Sequence, residues 1–266
     1  MAIEINEALL AAVRKPSNWR GILRHKTRRC INASRSLRRA TPLQRFGLDQ
    51  LTIELTGTEI SYEFESQRDL FKQQGFAFIP NFFRKDLYEK VLLAWPKLAY
   101  FEMRADPSKS YDRGIDAILH PRGTGLVGIH SDFYLAFLAL ASRSFEQRVG
   151  DFCSDGLQRY NSSLAASWAR AGSHLLPHMD NASRHGSSAV VNFVVFIDGT
   201  QPPFWSGGTS IFRTNTFDEP IMIPPTLKNS ALVYETGQKF FHGFPRLASG
   251  KFSKRLIAQY SPKGTV

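Results

Sequence analysis

Three residues in the second half of the chain combine the types and the spacing of a mononuclear metal site. His178 and Asp180 stand two residues apart in LLPHMD, and His242 follows much later. In an extended strand, residues i and i+2 project to the same side, so His178 and Asp180 can bind one ion while Met179 points away. Two histidines and one carboxylate leave the opposite face of the metal open, which suits iron(II). The sequence therefore predicts iron(II) held by His178, Asp180 and His242.

The open face of such a metal can take a bidentate 2-oxo acid and then dioxygen, and a cation is needed for the far carboxylate of that acid. Arg255 begins the apolar run RLIAQYS. Arginine pairs with a carboxylate through two parallel hydrogen bonds and stays charged. Strand alternation places the adjacent Lys254 on the opposite face. Arg246 and Lys251 are alternative cations, expected on the preceding loop, and Arg255 is the predicted anchor.

Zinc is the main alternative metal. His174 and His178 are separated by four residues, as on the helix of a zinc protease. Pro177 interrupts any helix across this segment, and no Glu follows His174. A hydrolytic zinc site is therefore the secondary hypothesis.

The elements that must position these residues change type along the chain. Helical periodicity predicts helices over residues 66–74, 83–98 and 131–153. One or two short strands are expected within 50–64, a strand over 75–81, and a long irregular loop over 100–128. Short apolar runs separated by Gly, Pro, Asp and Asn then predict strands at 157–172, 189–198, 208–214, 220–224, 230–236 and 254–261. The almost continuously apolar Val190–Ile197 is expected to be central and covered on both faces.

This order of elements predicts a mainly β, α+β domain: an antiparallel barrel or sandwich braced by helices. Within it, the ordered motifs resemble the prolyl-4-hydroxylase-like branch of the iron(II)/2-oxoglutarate oxygenases over about residues 66–262. The resemblance rests on WARAGSHLLPHMDNASR, VVNFVVFI, WSGGTSIF, ALVYETGQKFFHG and KRLIAQY. The segment QGFAFIPNFFRKDLYEKV is similar to the entry of this fold in phytanoyl-CoA-hydroxylase-like members.

What the resemblance implies is a double-stranded β-helix, the jelly-roll or cupin-like barrel. It also implies a hydroxylase (a dioxygenase) with iron(II), 2-oxoglutarate and O2 as its cofactors and co-substrates. Such an enzyme couples oxidative decarboxylation of 2-oxoglutarate, which gives succinate and carbon dioxide, to hydroxylation of a C–H bond.

The chain departs from this family near Arg255. Many relatives carry a hydroxyl two residues after the binding arginine, where this sequence has Ile257. Other side chains must then complete the co-substrate pocket, and the candidates are Asn192, Thr209, Tyr234 and Tyr260. Contact with the primary substrate is assigned to Asn181, Arg184 and Trp168, the last of which stands where many relatives have Tyr or Arg.

A basic segment precedes these motifs. Of the 34 Lys and Arg, eleven lie before residue 47, together with only two of the 23 acidic residues. We divide the chain into a basic, mainly helical extension, residues 1–58, and a dioxygenase domain, residues 59–266. This basic segment is either a solvated pair of surface helices or, through residues 14–45, a contact for an anionic partner such as nucleic acid or a lipid surface.

Composition and cysteine content limit the cellular locations and the functions that the sequence favours. No run approaches the roughly 20 apolar residues of a transmembrane segment. Two distant cysteines, Cys30 and Cys153, exclude a disulfide framework and favour a cytoplasmic location, as does an N-terminus without a signal-peptide pattern. A small-molecule substrate is favoured. The alternatives are a protein or nucleic-acid hydroxylase that docks through the basic segment, and a non-catalytic binding barrel, against which the intact metal triad argues.

Overall fold

The structure of the chain is a computed structural model. It describes residues 59–61, 63–104, 116–119, 129–153, 160–180, 191–236 and 240–262. The predicted basic extension, residues 1–58, lies outside these ranges. No helix among the described residues combines the length and the apolar character needed to cross a membrane.

Helices occupy the first half of the described chain. They are α1 (Glu63–Ser66), α2 (Arg68–Gln74), α3 (Lys85–Leu93), α4 (Ser131–Ala141) and α5 (Arg143–Cys153), with 3₁₀ turns at Leu98–Tyr100 and Phe204–Ser206. The helix predicted over 83–98 is α3, which is shorter and ends at Leu93. Trp95 precedes Pro96, and the residue before a proline is disfavoured in the helical conformation. The helix predicted over 131–153 is two helices: Ser142 has extended backbone, and its hydroxyl accepts the N–H of Phe145 in the first turn of α5.

Strands dominate the second half. They are β1 (Phe76–Ile79), β2 (Glu102–Arg104), β3 (Asp116–Leu119), β4 (Tyr160–Arg170), β5 (Leu175–His178), β6 (Val191–Gly199), β7 (Ser210–Phe212), β8 (Pro220–Met222), β9 (Ser230–Glu235), β10 (Phe241–Phe244) and β11 (Phe252–Pro262). The larger sheet has the order β1-β9-β6-β11-β4-β3-β2 and the smaller sheet the order β5-β10-β7-β8. Their strand pairs are antiparallel. The predicted mainly β architecture is confirmed.

One expectation for the early segments is wrong, and another falls mostly on residues that the structure does not describe. The loop predicted over 100–128 contains β2 and β3, which extend the large sheet beyond β4. The one or two strands predicted within 50–64 fall mostly outside the described residues; in the part that is described, Ile60 makes a single bridge with Phe83, and α1 begins at Glu63.

β6 is the strand around which the site is built. It lies between β9 and β11, and its apolar run is buried on both faces, as predicted. Phe193 and Val195 face the helices, where Phe193 packs on Phe145 of α5 with ring centroids 5.8 Å apart. Val194 and Phe196 face the small sheet and share a cluster with Ile211 of β7 and others. The two sheets therefore pack face to face, with the helices on the outer side of the large sheet.

Tyr260 ties the last strand to this helical layer. Its side chain is fully buried, and its hydroxyl donates a 2.7 Å hydrogen bond to the carbonyl of Leu140, near the end of α4. Burial, with a smaller contribution from Glu146, holds the pKa of Tyr260 well above its usual value. Tyr260 thus faces away from the inter-sheet interior, which separates it from the other candidates for the co-substrate pocket.

We expect Tyr260→Phe to lower the free energy of unfolding by about 1–3 kcal/mol, because a carbonyl at a helix end loses its partner in a buried setting. Urea unfolding measures this change at a constant m-value. Tyr88→Phe is the matched control, since no described residue bonds to that hydroxyl and a change within about 0.5 kcal/mol is expected. Equal losses in the two variants would contradict this role for Tyr260.

Candidate metal centre

Two neighbouring strands of the small sheet bring the three predicted metal ligands together. His178, the last residue of β5, is in register with His242 of β10. Asp180 follows two residues beyond the end of β5. Its Oδ1 atom lies 3.4 Å from His178 Nε2, and its Oδ2 atom lies 3.6 Å from His242 Nε2. One atom from each residue lies within 4.8 Å of the others, which is close enough for a single ion.

The two imidazoles are held in defined orientations. His178 Nδ1 lies 2.9 Å from the carbonyl oxygen of Leu176, so that nitrogen carries the proton and Nε2 presents its lone pair. The His242 ring lies between that of His178, at 4.2 Å between centroids, and that of Tyr234, at 4.7 Å. The histidine side chains are 14% and 7% exposed and that of Asp180 is 22% exposed, so the site is shielded from solvent without being closed.

The donor set fits a divalent metal that keeps open positions. Two imidazole nitrogens and one carboxylate oxygen are the ligands of non-haem iron(II) sites with free coordination positions. His174, the additional ligand of the zinc hypothesis, is not in this group: its Nδ1 lies 3.3 Å from the carbonyl oxygen of Gly172. Among the residues that the structure describes, the group contains His178, Asp180 and His242 and no fourth ligand.

Asn192 and Tyr234 lie beside the three candidate metal ligands. They face each other across β6 and β9, and both belong to the inter-sheet face. The Asn192 amide nitrogen donates to Asp180 Oδ2 at 3.0 Å and to the Tyr234 hydroxyl at 3.3 Å. The structure therefore places these two candidates for the co-substrate pocket against Asp180 and His242.

Arg255 is held at the other end of the interior. Its Nε donates to the hydroxyl of Ser167 at 3.2 Å, and its Nη1 donates to Thr209 Oγ1 and the Gly207 carbonyl, both at 3.1 Å. The Phe244 ring lies 4.5 Å from the guanidinium carbon. Arg255 is 3% exposed, and these neutral partners fix the direction of its cation.

Local backbone features aim this arginine inward. The register of β11 against β6 shifts between Lys254 and Arg255, as at a β-bulge. Lys254 lies on the other face, 3.8 Å from Asp198 and 5.2 Å from the Trp168 ring centroid, as strand alternation predicted. Gly207 has φ +84°, and a Cβ there would lie 2.7 Å from Ser253 Oγ, so glycine is required where its carbonyl meets Arg255.

The metal end and the arginine end share one interior. Asn192 and Phe196, which pairs with Arg255, are four residues apart on β6, about 13 Å at roughly 3.3 Å per residue. The row between them is apolar, with Val194 opposite Leu232. The interior therefore offers a candidate metal site, an apolar middle and a fixed cation along one direction.

Of the remaining candidates, one is described by the structure and does not join this arrangement. Trp168 lies on the helical side of the large sheet, 5.9 Å from the Phe101 ring between centroids, so the structure does not bring it to the interior. Asn181 and Arg184 lie outside the described residues. Ser167 was missed by the sequence analysis, because its position opposite Arg255 depends on the register of β4 against β11.

Comparison with known proteins gives structural relatives only. No protein-family model matches the chain, and no curated protein sequence matches it. A prolyl-4-hydroxylase from Pseudomonas putida is 16% identical, with a TM-score of 0.52 over 74% of this chain and 98% of its own. HygX from Streptomyces hygroscopicus, solved with nickel, 2-oxoglutarate and hygromycin B, is 14% identical, with a TM-score of 0.50 over 75% and 87%. The 2-oxoglutarate-dependent epimerase SnoN from nogalamycin biosynthesis is 10% identical, with a TM-score of 0.51 over 74% and 80%.

Proposed function

We propose that this chain, which has the fold of the iron(II)/2-oxoglutarate oxygenases, is itself a 2-oxoglutarate-dependent dioxygenase. The observation that carries the proposal is the pairing of the His178–Asp180–His242 group with a buried, hydrogen-bonded Arg255 in one interior. These three features, the metal-binding group, the apolar row and the cation, match a ligand with a metal-binding group at one end, a short apolar middle and a carboxylate at the other end. 2-Oxoglutarate has this form.

In this proposal His178, Asp180 and His242 hold iron(II), and Arg255 pairs with the far carboxylate of 2-oxoglutarate. Thr209 and Ser167 orient the guanidinium, since each accepts one of its hydrogen bonds. The apolar row around Val194 excludes water between the two ends. The bound iron supplies the activation of dioxygen.

The net reaction consumes 2-oxoglutarate, O2 and a substrate R–H and yields succinate, carbon dioxide and R–OH. One oxygen atom of O2 enters succinate and the other enters the product. 2-Oxoglutarate supplies the two electrons that, with the two from the C–H bond, reduce dioxygen. C–H cleavage in this scheme requires no protein side chain as a general base, so none is assigned.

For the primary substrate we propose a small molecule. HygX was solved with hygromycin B bound, and SnoN takes part in nogalamycin biosynthesis, so this fold accepts small molecules in other proteins. Among the proposed substrate contacts, Asn181 and Arg184 directly follow the metal-binding segment in the sequence. A protein or nucleic-acid substrate that docks on residues 14–45 is the rival hypothesis.

Succinate release from the full-length, iron-loaded protein tests this function. We expect slow release with 2-oxoglutarate and O2 alone, and faster release when a panel of small metabolites includes the substrate or a close analogue. Peptides and oligonucleotides in the same panel test the rival hypothesis. Stimulation by a macromolecule alone would overturn the small-molecule proposal, and an absence of any 2-oxoglutarate turnover would overturn the reaction class.

A further inference from the structure

We propose that Asn192 is a positioning residue that fixes the Asp180 carboxylate and the Tyr234–His242 pair in the relative arrangement that binds the metal. The proposal rests on the metal centre described above and assigns to Asn192 a different role from co-substrate binding. Asn192 contacts one metal ligand directly and a second through Tyr234. It does so from β6, the buried central strand of the large sheet.

The orientation of the Asn192 amide follows from its neighbours. An ionised carboxylate only accepts hydrogen bonds, so the amide nitrogen, and not the amide oxygen, must face Asp180 Oδ2 at 3.0 Å. The same nitrogen also donates to the Tyr234 hydroxyl at 3.3 Å, which uses both of its hydrogens. The amide is therefore fixed by two acceptors that belong to different strands or loops.

Tyr234 extends this connection to the second ligand. Its ring packs against that of His242 in a tilted arrangement, at 4.7 Å between centroids and an interplanar angle of 38°. A shift of Asn192 would thus change both the direction of the Asp180 carboxylate and the support of the His242 ring. Outer partners of this kind orient metal ligands and raise the affinity of the site.

The amide oxygen of Asn192 indicates that asparagine is not at this position to improve the packing of the interior. Asn192 is 2% exposed, and its Oδ1 has no hydrogen-bond partner among the described residues. Burial of an unpartnered polar atom costs stability, and Val194, the next residue on the same face of β6, is apolar. A leucine of similar size would suit the fold at this position better than asparagine does.

Stability and metal affinity should therefore change in opposite directions. In the full-length protein, Asn192→Leu is expected to keep or raise the melting temperature and to raise the dissociation constant for Co²⁺ by roughly 10- to 100-fold. The visible ligand-field bands of the protein saturated with Co²⁺ should also change, because the ligand arrangement has changed. Asn192→Ala is expected to weaken Co²⁺ binding and alter these bands in the same way.

Two further variants separate positioning from packing and from co-substrate binding. Val195→Ala, on the same strand but facing the helices, should lower the melting temperature and leave the Co²⁺ constant and bands unchanged. Tyr234→Phe keeps the ring on His242 and loses only the hydroxyl, so a smaller loss of affinity than in Asn192→Leu is expected.

Unchanged Co²⁺ affinity and bands in both Asn192 variants would overturn the proposal, as would an equal loss of affinity in Val195→Ala. Asp180→Ala, measured in parallel, tests the metal centre itself. If the wild-type protein bound no Co²⁺, or if Asp180→Ala bound it normally, the assignment of the metal centre would be wrong, and not only the role of Asn192.

Discussion

Asp180→Ala is expected to lose the bound iron(II), with a rise in the metal dissociation constant of more than about 100-fold. A residue that only orients a ligand contributes about 10- to 100-fold, and Asp180 is proposed to be a ligand itself. The loss should remove the visible charge-transfer band that forms when iron(II) and 2-oxoglutarate bind together without oxygen. Equilibrium dialysis and anaerobic absorption spectra measure the two effects, and the wild-type protein should hold one iron per chain.

His174→Ala is the matched control for this experiment. His174 is a buried histidine four residues before His178, and it lies outside the metal-binding group. It should retain iron and the absorption band. Loss of iron in His174→Ala together with its retention in Asp180→Ala would show that the ligand assignment is wrong.

Arg255→Ala is expected to raise the dissociation constant for 2-oxoglutarate by roughly 30-fold or more. A pair between arginine and a carboxylate in a shielded site contributes on the order of 2–4 kcal/mol, because its loss leaves a desolvated charge without a partner. Iron binding should be unchanged, since Arg255 lies at the other end of the interior. Anaerobic titration of the iron-loaded protein with 2-oxoglutarate measures this constant.

Arg246→Ala controls for the loss of a positive charge. Arg246 is exposed and follows β10, so its removal should alter 2-oxoglutarate binding by less than twofold or so. The opposite result, a large effect for Arg246 and none for Arg255, would move the anchor to the surface loop.

The features that could be predicted from sequence are those that depend on the residue types and the hydrophobic periodicity of one segment. The grouping of His178, Asp180 and His242 was predicted because residues i and i+2 of a strand project to the same side, and two histidines with a carboxylate form a recognisable metal-binding set. The central position of β6 was predicted from its continuous apolar run, which only a strand covered on both faces can bury. The first turns of α3 were predicted from Leu87 and Val91, which share a buried face.

The parts that could not be predicted depend on contacts between distant segments. β2 and β3 are three and four residues long, and they form by pairing at the edge of β4, so no local period marks them. β10 contains the short run FHGF and was not among the predicted strands. It forms because it pairs with both β5 and β7.

Pairing between distant strands also determines where the candidates for the co-substrate pocket lie. Asn192, Tyr234 and Thr209 were grouped as candidates for one pocket because each is a polar residue in an apolar strand or beside one. Strand register separates them, since Thr209 bonds to Arg255 and the other two adjoin the metal ligands.

The central claim, that this chain decarboxylates 2-oxoglutarate oxidatively at the His178–Asp180–His242 site, is tested most directly with labelled oxygen. The iron-loaded full-length protein is incubated with 2-oxoglutarate under ¹⁸O₂, and succinate is analysed by mass spectrometry. The wild-type protein is expected to form succinate that carries one ¹⁸O atom in its new carboxylate, and Asp180→Ala is expected to form none. Unlabelled succinate, equal labelling by Asp180→Ala, or recovery of unchanged 2-oxoglutarate would contradict it.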